Sequence, residues 1–149
     1  MEAESLDDIV HPYMMVKYRG IALYPSLILE YGLMSRGVVS DEKFREIRDK
    51  RIKYKREGNP IEKVLKLILN STYGVLGDQY NALCDKRMMR SVCVAGQLLL
   101  TDLIEKIEPY CKPFNLNTDG IFFYIESDDV LPKLQELTKE WEQRTRLVL

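Results

Sequence analysis

The sequence predicts an α+β fold built on an antiparallel sheet. Three observations carry this. "YMMVKY" and "GIALY", within residues 11–23, read as extended, mostly buried chain. Two short apolar runs, 111–116 and 121–126, flank a polar tip and read as a hairpin. Helical patterns lie between and after them, so the order is strand, helices, hairpin, helix, and not a βαβ alternation.

The bulk numbers fit one domain. A chain of 149 residues with 46% apolar content can bury a real core. The formal net charge is −1, so any surface for nucleic acid must be local. Cys84, Cys93 and Cys111 form no CxxC pair and His11 is the single histidine, which argues against zinc. Three scattered thiols predict a reducing compartment, with each cysteine a small core residue. No apolar run approaches the roughly 20 residues that cross a bilayer. The acidic start, "MEAESLDD", does not read as a signal peptide.

Taken in order, residues 1–10 are a polar lead-in. The extended chain should stop at Tyr24-Pro25-Ser26, because Pro25 has no N–H and a fixed φ. Ser26 to Tyr31 begins a helix ended near Gly32. After a loop at 37–40, Ser40 caps a helix from Asp41 to about Arg56. Its basic residues are Lys43, Arg45, Arg48, Lys50, Arg51, Lys53, Lys55 and Arg56, against only Phe44, Ile47, Ile52 and Tyr54. Such a helix should project into solvent or lie against a polyanion. Gly58 closes it, and Asn59 with Pro60 opens the next.

In that next helix, Ile61, Val64, Leu65, Ile68, Leu69 and Thr72 form one expected buried stripe. Gly74 and Gly77 should end it. Met88 to Ile107 is a third helix, with Val92, Ala95, Leu99, Leu103 and Ile107 inward and Pro109 as its stop. The hairpin follows, and a last helix buries Leu131, Leu134, Leu137 and Trp141.

Two features are candidates for chemistry. Lys66, Asn70 and Tyr73 fall at i, i+4 and i+7 on a face away from the apolar stripe. They are either a solvated face ending in a half-buried tyrosine, or a set that holds a phosphate tail and a flat ring together. The second feature is the hairpin tip, "NTDG", which sets Asp119 between apolar strands.

Three motifs here resemble those of family B DNA polymerases, in the family's order. "KLILNSTYG" resembles K-x3-N-S-x-Y-G, "ALYPSLI" resembles S-L-Y-P-S, and "NTDGIFF" resembles D-T-D-S. The short spacing between the first two in the chain is similar to phage and protein-primed members. The resemblance spans about residues 15–127.

It implies an antiparallel-sheet polymerase palm with a short helical fingers insertion. Residues 1–38 and 78–149 would be palm, and 39–77 fingers. It implies template-directed nucleotidyl transfer to a primer 3′-hydroxyl. Lys66 would bind the incoming triphosphate. Asn70 and Tyr73 would line the nucleotide pocket, and Tyr24 would be the steric gate under the sugar. The backbone at Leu23 would cradle triphosphate oxygens, and Arg51 and Lys55 would be the fingers' phosphate pair. Gly74 and Thr118 would touch DNA. Asp119, the central catalytic residue beside Lys66, would ligate Mg²⁺ or Mn²⁺, with Asn117 as a weak second ligand.

The implied partners are a dNTP, primer–template DNA, and separate chains supplying thumb and exonuclease. The implied setting is the cytoplasm of a bacterial host of a phage or mobile element. The sequence departs from the family where it matters for metal. Arg19 stands for the first motif's Asp, Ala22 for its Ser, Asn117 for the hairpin's first Asp and Gly120 for its Ser. One carboxylate then remains where the family holds two or three, metal should bind weakly, and Arg19 could ion-pair with Asp119. Two alternatives follow. One is a catalytically silent polymerase-like module that binds dNTP or primer–template DNA. The other is an unrelated α+β domain with a basic surface helix.

Overall fold

The computed structural model describes residues 14–19, 23–117 and 120–149, with 14–19 and 117 as backbone. Among the described residues the fold is α+β. Strand β1 (Met14–Arg19) is followed by helices α1 (Leu23–Glu30), α2 (Glu42–Arg56), α3 (Glu62–Gly77) and α4 (Lys86–Ile107). Strands β2 (Lys112–Asn117) and β3 (Gly120–Ile125) form the hairpin, and helix α5 (Leu131–Thr145) closes the described chain. The sheet is antiparallel in the order β1-β3-β2, so the hairpin's second strand is central.

The alternation of β3 explains the layering. Ile121, Phe123 and Ile125 are buried against the helices, and Phe122 and Tyr124 are half-buried on the other face. On that other face Phe114 stacks on Tyr124 with ring centroids 4.4 Å apart. Pro113 sits on the edge strand β2, where the register shifts by one residue and a missing N–H does least harm. Under the sheet, α4 packs on α1, α3, α5 and β3. The core there includes Leu27, Ile28, Leu76, Val92, Leu103, Ile107, Leu134 and Trp141. Trp141 is fully buried and its indole N–H donates to the carbonyl of Leu99, 3.0 Å away.

Several boundaries differ from the expectation, each for a local reason. Tyr24-Pro25-Ser26 does not punctuate a strand: it lies in the first turn of α1, where a proline's missing donor costs nothing. That helix is apolar almost all round, and six of its eight residues are buried. Gly32 ends it at φ +62°, a conformation that favours glycine, and Leu33 N–H closes the cap on Ile28 O at 2.8 Å. Gly74 lies inside α3, which runs on to Gly77. Asp85, not Met88, begins α4: its side chain accepts from Met88 N–H at 3.2 Å.

The expected stripe of α3 is overturned. Ile61, Val64 and Ile68 are exposed, as is Leu67, while Leu69 and Leu76 are fully buried. Leu65, Thr72 and Tyr73 are half-buried. The buried arc is rotated toward Leu65, Leu69, Tyr73 and Leu76, because α2, α1 and α4 all pack on that side. The helix is apolar over most of its circumference, and periodicity alone does not choose which part meets a neighbour.

Among the described residues no helix is long and apolar enough to cross a membrane. Cys111 meets the expectation of a small core residue: it is buried, its thiol donates to Ile107 O, and burial pushes its pKa up to about 11. Cys84 and Cys93 are half-buried.

Candidate functional site

The first element of the site is the end of the sheet. On β1, Arg19 pairs with Gly120, and on β2, Asn117 pairs with the same Gly120. Adjacent strands lie about 4.8 Å apart, so the backbones of Arg19 and Asn117 stand about 10 Å apart with β3 between them. Two positions nearly a hundred residues apart in sequence thus meet at one level of the sheet. Thr118 and Asp119, which join Asn117 to Gly120, lie outside the described residues, as does Ala22.

By sequence, the residue types at this level and in the turn beside it are the guanidinium of Arg19, the carboxamide of Asn117 and the carboxylate of Asp119. A pair of divalent ions needs several hard anionic oxygens. Of these residue types only Asp119 offers a carboxylate, fewer than such a pair of ions ordinarily takes. Among the described residues no three His, Cys, Asp or Glu side chains gather as a metal site.

The second element is an aromatic step between α1 and α3. Tyr24 and Tyr73 come from different motifs, and their rings lie 4.6 Å apart at 43°. Tyr73 Oη lies 2.8 Å from Cys93 Sγ on α4. Burial, reinforced by that contact, pushes the phenol of Tyr73 well above its ordinary range. Gly96 of α4 permits the close approach of α1. A Cβ there would meet Leu27 Cδ1 at 3.2 Å and Tyr24 Cε1 at 3.9 Å. Leu23, whose backbone the resemblance gives to the triphosphate, is buried at the start of α1.

Lys66 and Asn70 continue from Tyr73 along α3, one turn apart, and both are exposed. Among the described residues neither has an ion pair or side-chain hydrogen bond, so a phosphate would meet no competing partner from them. At Gly74 nothing lies within 4 Å of the place a Cβ would take. Lys66, Asn70, Tyr73 and Gly74 therefore descend one line of the helix from solvent to the aromatic step.

The basic helix behaves differently from its composition. Arg48 Nη1 donates to Glu30 Oε1 at 2.6 Å, and Arg45 Nη1 to the same oxygen at 3.1 Å. Lys43 and Lys50 both pair with Glu46, and Arg45 also reaches Asp41. Arg51 is buried, with its Nε 3.7 Å from Glu62 Oε2. Lys55 is exposed. Much of the positive charge of α2 is thus matched by acids of its own molecule. The carboxyl of Glu30 feels burial, which raises its pKa, but Arg48 and Arg45 outweigh this and hold it below the ordinary range.

Sequence reasoning missed the third element. A cleft of about 730 Å³ runs between α3 and α4 and is lined by Tyr73, Gly74, Asp78, Lys86, Arg90 and Val94 among others. Lys86 and Arg90 are exposed and carry no ion pair among the described residues. They stand in the first two turns of α4, where the helix dipole disfavours cations by a few tenths of a kcal/mol each. The available signal was a helix start with Lys86, Arg87 and Arg90 and, after the cap Asp85, no acid until Asp102.

No protein-family model matches the chain, and no curated protein matches it.

Proposed function

We propose that this chain is the palm-and-fingers part of a split or degenerate DNA polymerase of the family B type, with its nucleotide-binding side intact. The observation that carries the reading is the 4.6 Å contact of Tyr24 with Tyr73. These tyrosines come from two separate motifs, and a polymerase pocket needs both beside the same nucleotide. Lys66 and Asn70 extend the set as a phosphate cation and a polar neighbour on the same helix line. Primer–template DNA is the second substrate, and partner chains would supply thumb and exonuclease.

A second reading, a polymerase-like module that binds dNTP or DNA without chemistry, is favoured by one observation. Arg19 and Asn117 flank Gly120, where carboxylates are needed for divalent ions. The two readings share the nucleotide pocket and differ in turnover.

Primer extension separates them. Primer–template, dNTP and Mg²⁺ or Mn²⁺ are added to the chain, to Asp119→Ala, and to an Arg19→Asp, Asn117→Asp double variant. Extension by the unaltered chain that vanishes in Asp119→Ala supports turnover and defeats the silent module. Gain of extension only in the double variant supports the silent module. Absence of dNTP binding, with no effect of Lys66→Ala, overturns both.

A further inference from the structure

We infer that Lys86 and Arg90, on the outer face of α4, grip the sugar–phosphate backbone of DNA laid in the cleft between α3 and α4. The choice of DNA as the polyanion rests on the polymerase reading; the site itself rests on charge and shape.

Four observations converge. The cleft has a volume of about 730 Å³ and lies between α3 and α4. Lys86 and Arg90 are one helical turn apart on one face of α4 and both line it. Both are exposed and free of ion pairs among the described residues, while many cations of α2 are matched by Glu30, Glu46 and Glu62. The opposite wall offers Gly74, where nothing lies within 4 Å of the place a Cβ would take, so another chain can approach closely.

The cleft holds one acid, Asp78, and its Oδ1 is occupied by Tyr80 N–H at 3.0 Å. Next along the same face of α4, Val94 is 53% exposed, which suits the apolar edge of a sugar. Cations at a helix start, against the dipole and with the nearest acid, Asp85, paired to Arg36, are a poor choice for stability. A phosphate backbone turns that same placement into attraction.

The proposal assigns the DNA-binding charge to α4 and not to the basic helix α2. Binding of a fluorescently labelled primer–template duplex, followed by anisotropy across a salt series, tests this. The Lys86→Ala, Arg90→Ala double variant should bind about tenfold more weakly or worse. Its slope of log K against log salt should fall by about 1.8, or about 0.9 for each lost phosphate contact. Lys43→Ala, Lys50→Ala on α2 should leave both values unchanged. Lys86→Arg should retain binding.

No DNA binding by the unaltered chain, or equal losses in the α2 and α4 variants, would overturn the proposal. Both α4 positions are exposed and helical, so alanine is tolerated there. Circular dichroism confirms the fold of each variant, and a Lys86→Gln, Arg90→Gln variant repeats the test without changing side-chain bulk as much. The nucleotide pocket is read separately by dNTP binding to Lys66→Ala. Absence of dNTP binding by the unaltered chain, with no effect of Lys66→Ala and with DNA binding intact, sinks the polymerase reading alone.

Discussion

Tyr73 Oη lies 2.8 Å from Cys93 Sγ while its ring packs on Tyr24, so one side chain ties together α1, α3 and α4. Its phenol is held protonated by burial first and by the Cys93 contact second. The folded chain keeps this proton at pH values where the unfolded chain has released it. The resulting stability is full below about pH 10 and falls as pH rises above it. An alkaline tyrosinate absorbance titration should show a late phase that Tyr73→Phe removes. Cys93→Ala should move that phase earlier, and Cys93→Ser should move it less. A curve indifferent to Tyr73→Phe would contradict the arrangement.

Tyr24 is expected to control the choice of sugar if the nucleotide pocket is as proposed. Tyr24→Ala removes the ring that would lie under the ribose. The ratio of dNTP to rNTP affinity should drop about tenfold, or about 1.4 kcal/mol. Competition binding with dATP and ATP measures it. An unchanged ratio would remove Tyr24 from that role.

Glu30 holds the end of α1 to Arg45 and Arg48 of α2. Glu30→Ala should destabilise the fold by about 2 kcal/mol, because two guanidiniums lose a largely buried acceptor. Its pKa is lowered in the folded state, so its contribution is present above about pH 4.5 and is lost as pH falls below that. Urea unfolding at pH 7 and at pH 3 should therefore show a smaller penalty for Glu30→Ala in acid.

Asp85 does two jobs that substitutions can separate. Its carboxylate accepts from Arg36 Nε at 2.8 Å and from Met88 N–H at 3.2 Å. The hydrogen bond from Arg36, more than any other influence, holds its pKa well below the ordinary range. Asp85→Asn keeps a helix cap and loses the charge, whereas Asp85→Ala loses both. Thermal melts should rank the unaltered chain above Asp85→Asn, and Asp85→Asn above Asp85→Ala. Equal melting of the two variants would mean that the cap contributes nothing.

The two neighbours Ile68 and Leu69 on α3 should respond very differently to truncation. Leu69 is 0% exposed, and Leu69→Ala should cost about 3 kcal/mol through lost burial and a cavity. Ile68 is 45% exposed, and Ile68→Ala should cost under about 1 kcal/mol. Similar costs would restore the stripe expected from the sequence.

Ile68 and Leu69 also show where the sequence stopped being legible. The hairpin follows from local rules, and the helices appear within a few residues of their expected bounds, but Ser40 and Asn59 stand one and two residues ahead of the cap positions Asp41 and Ile61, and the cap Asp85 was not read. The face of α3 did not follow, because apolar residues cover most of it and the neighbours decide. The charge of α2 was half legible. Pairs such as Lys50 with Glu46 follow from spacing, but Glu30 and Glu62 come from other elements. Tyr24 and Tyr73 were readable as a pair because motifs carried them. Lys86 and Arg90 belong to no motif, and only the fold brings them to the wall opposite Gly74.

The charge order along α4 has a consequence for encounter. Lys86, Arg87 and Arg90 crowd its start beside the single acid Asp85, and around its far end Asp102, Glu105, Glu108 and Glu140 outnumber Lys106 and Arg144. Its 22 residues set these ends about 30 Å apart. A chain of net charge −1 then carries a permanent charge separation along its longest rod. In the field of a polyanion such a body experiences torque before it experiences net attraction. It should arrive cleft first, with an association rate that falls as salt rises even where the final complex is unchanged.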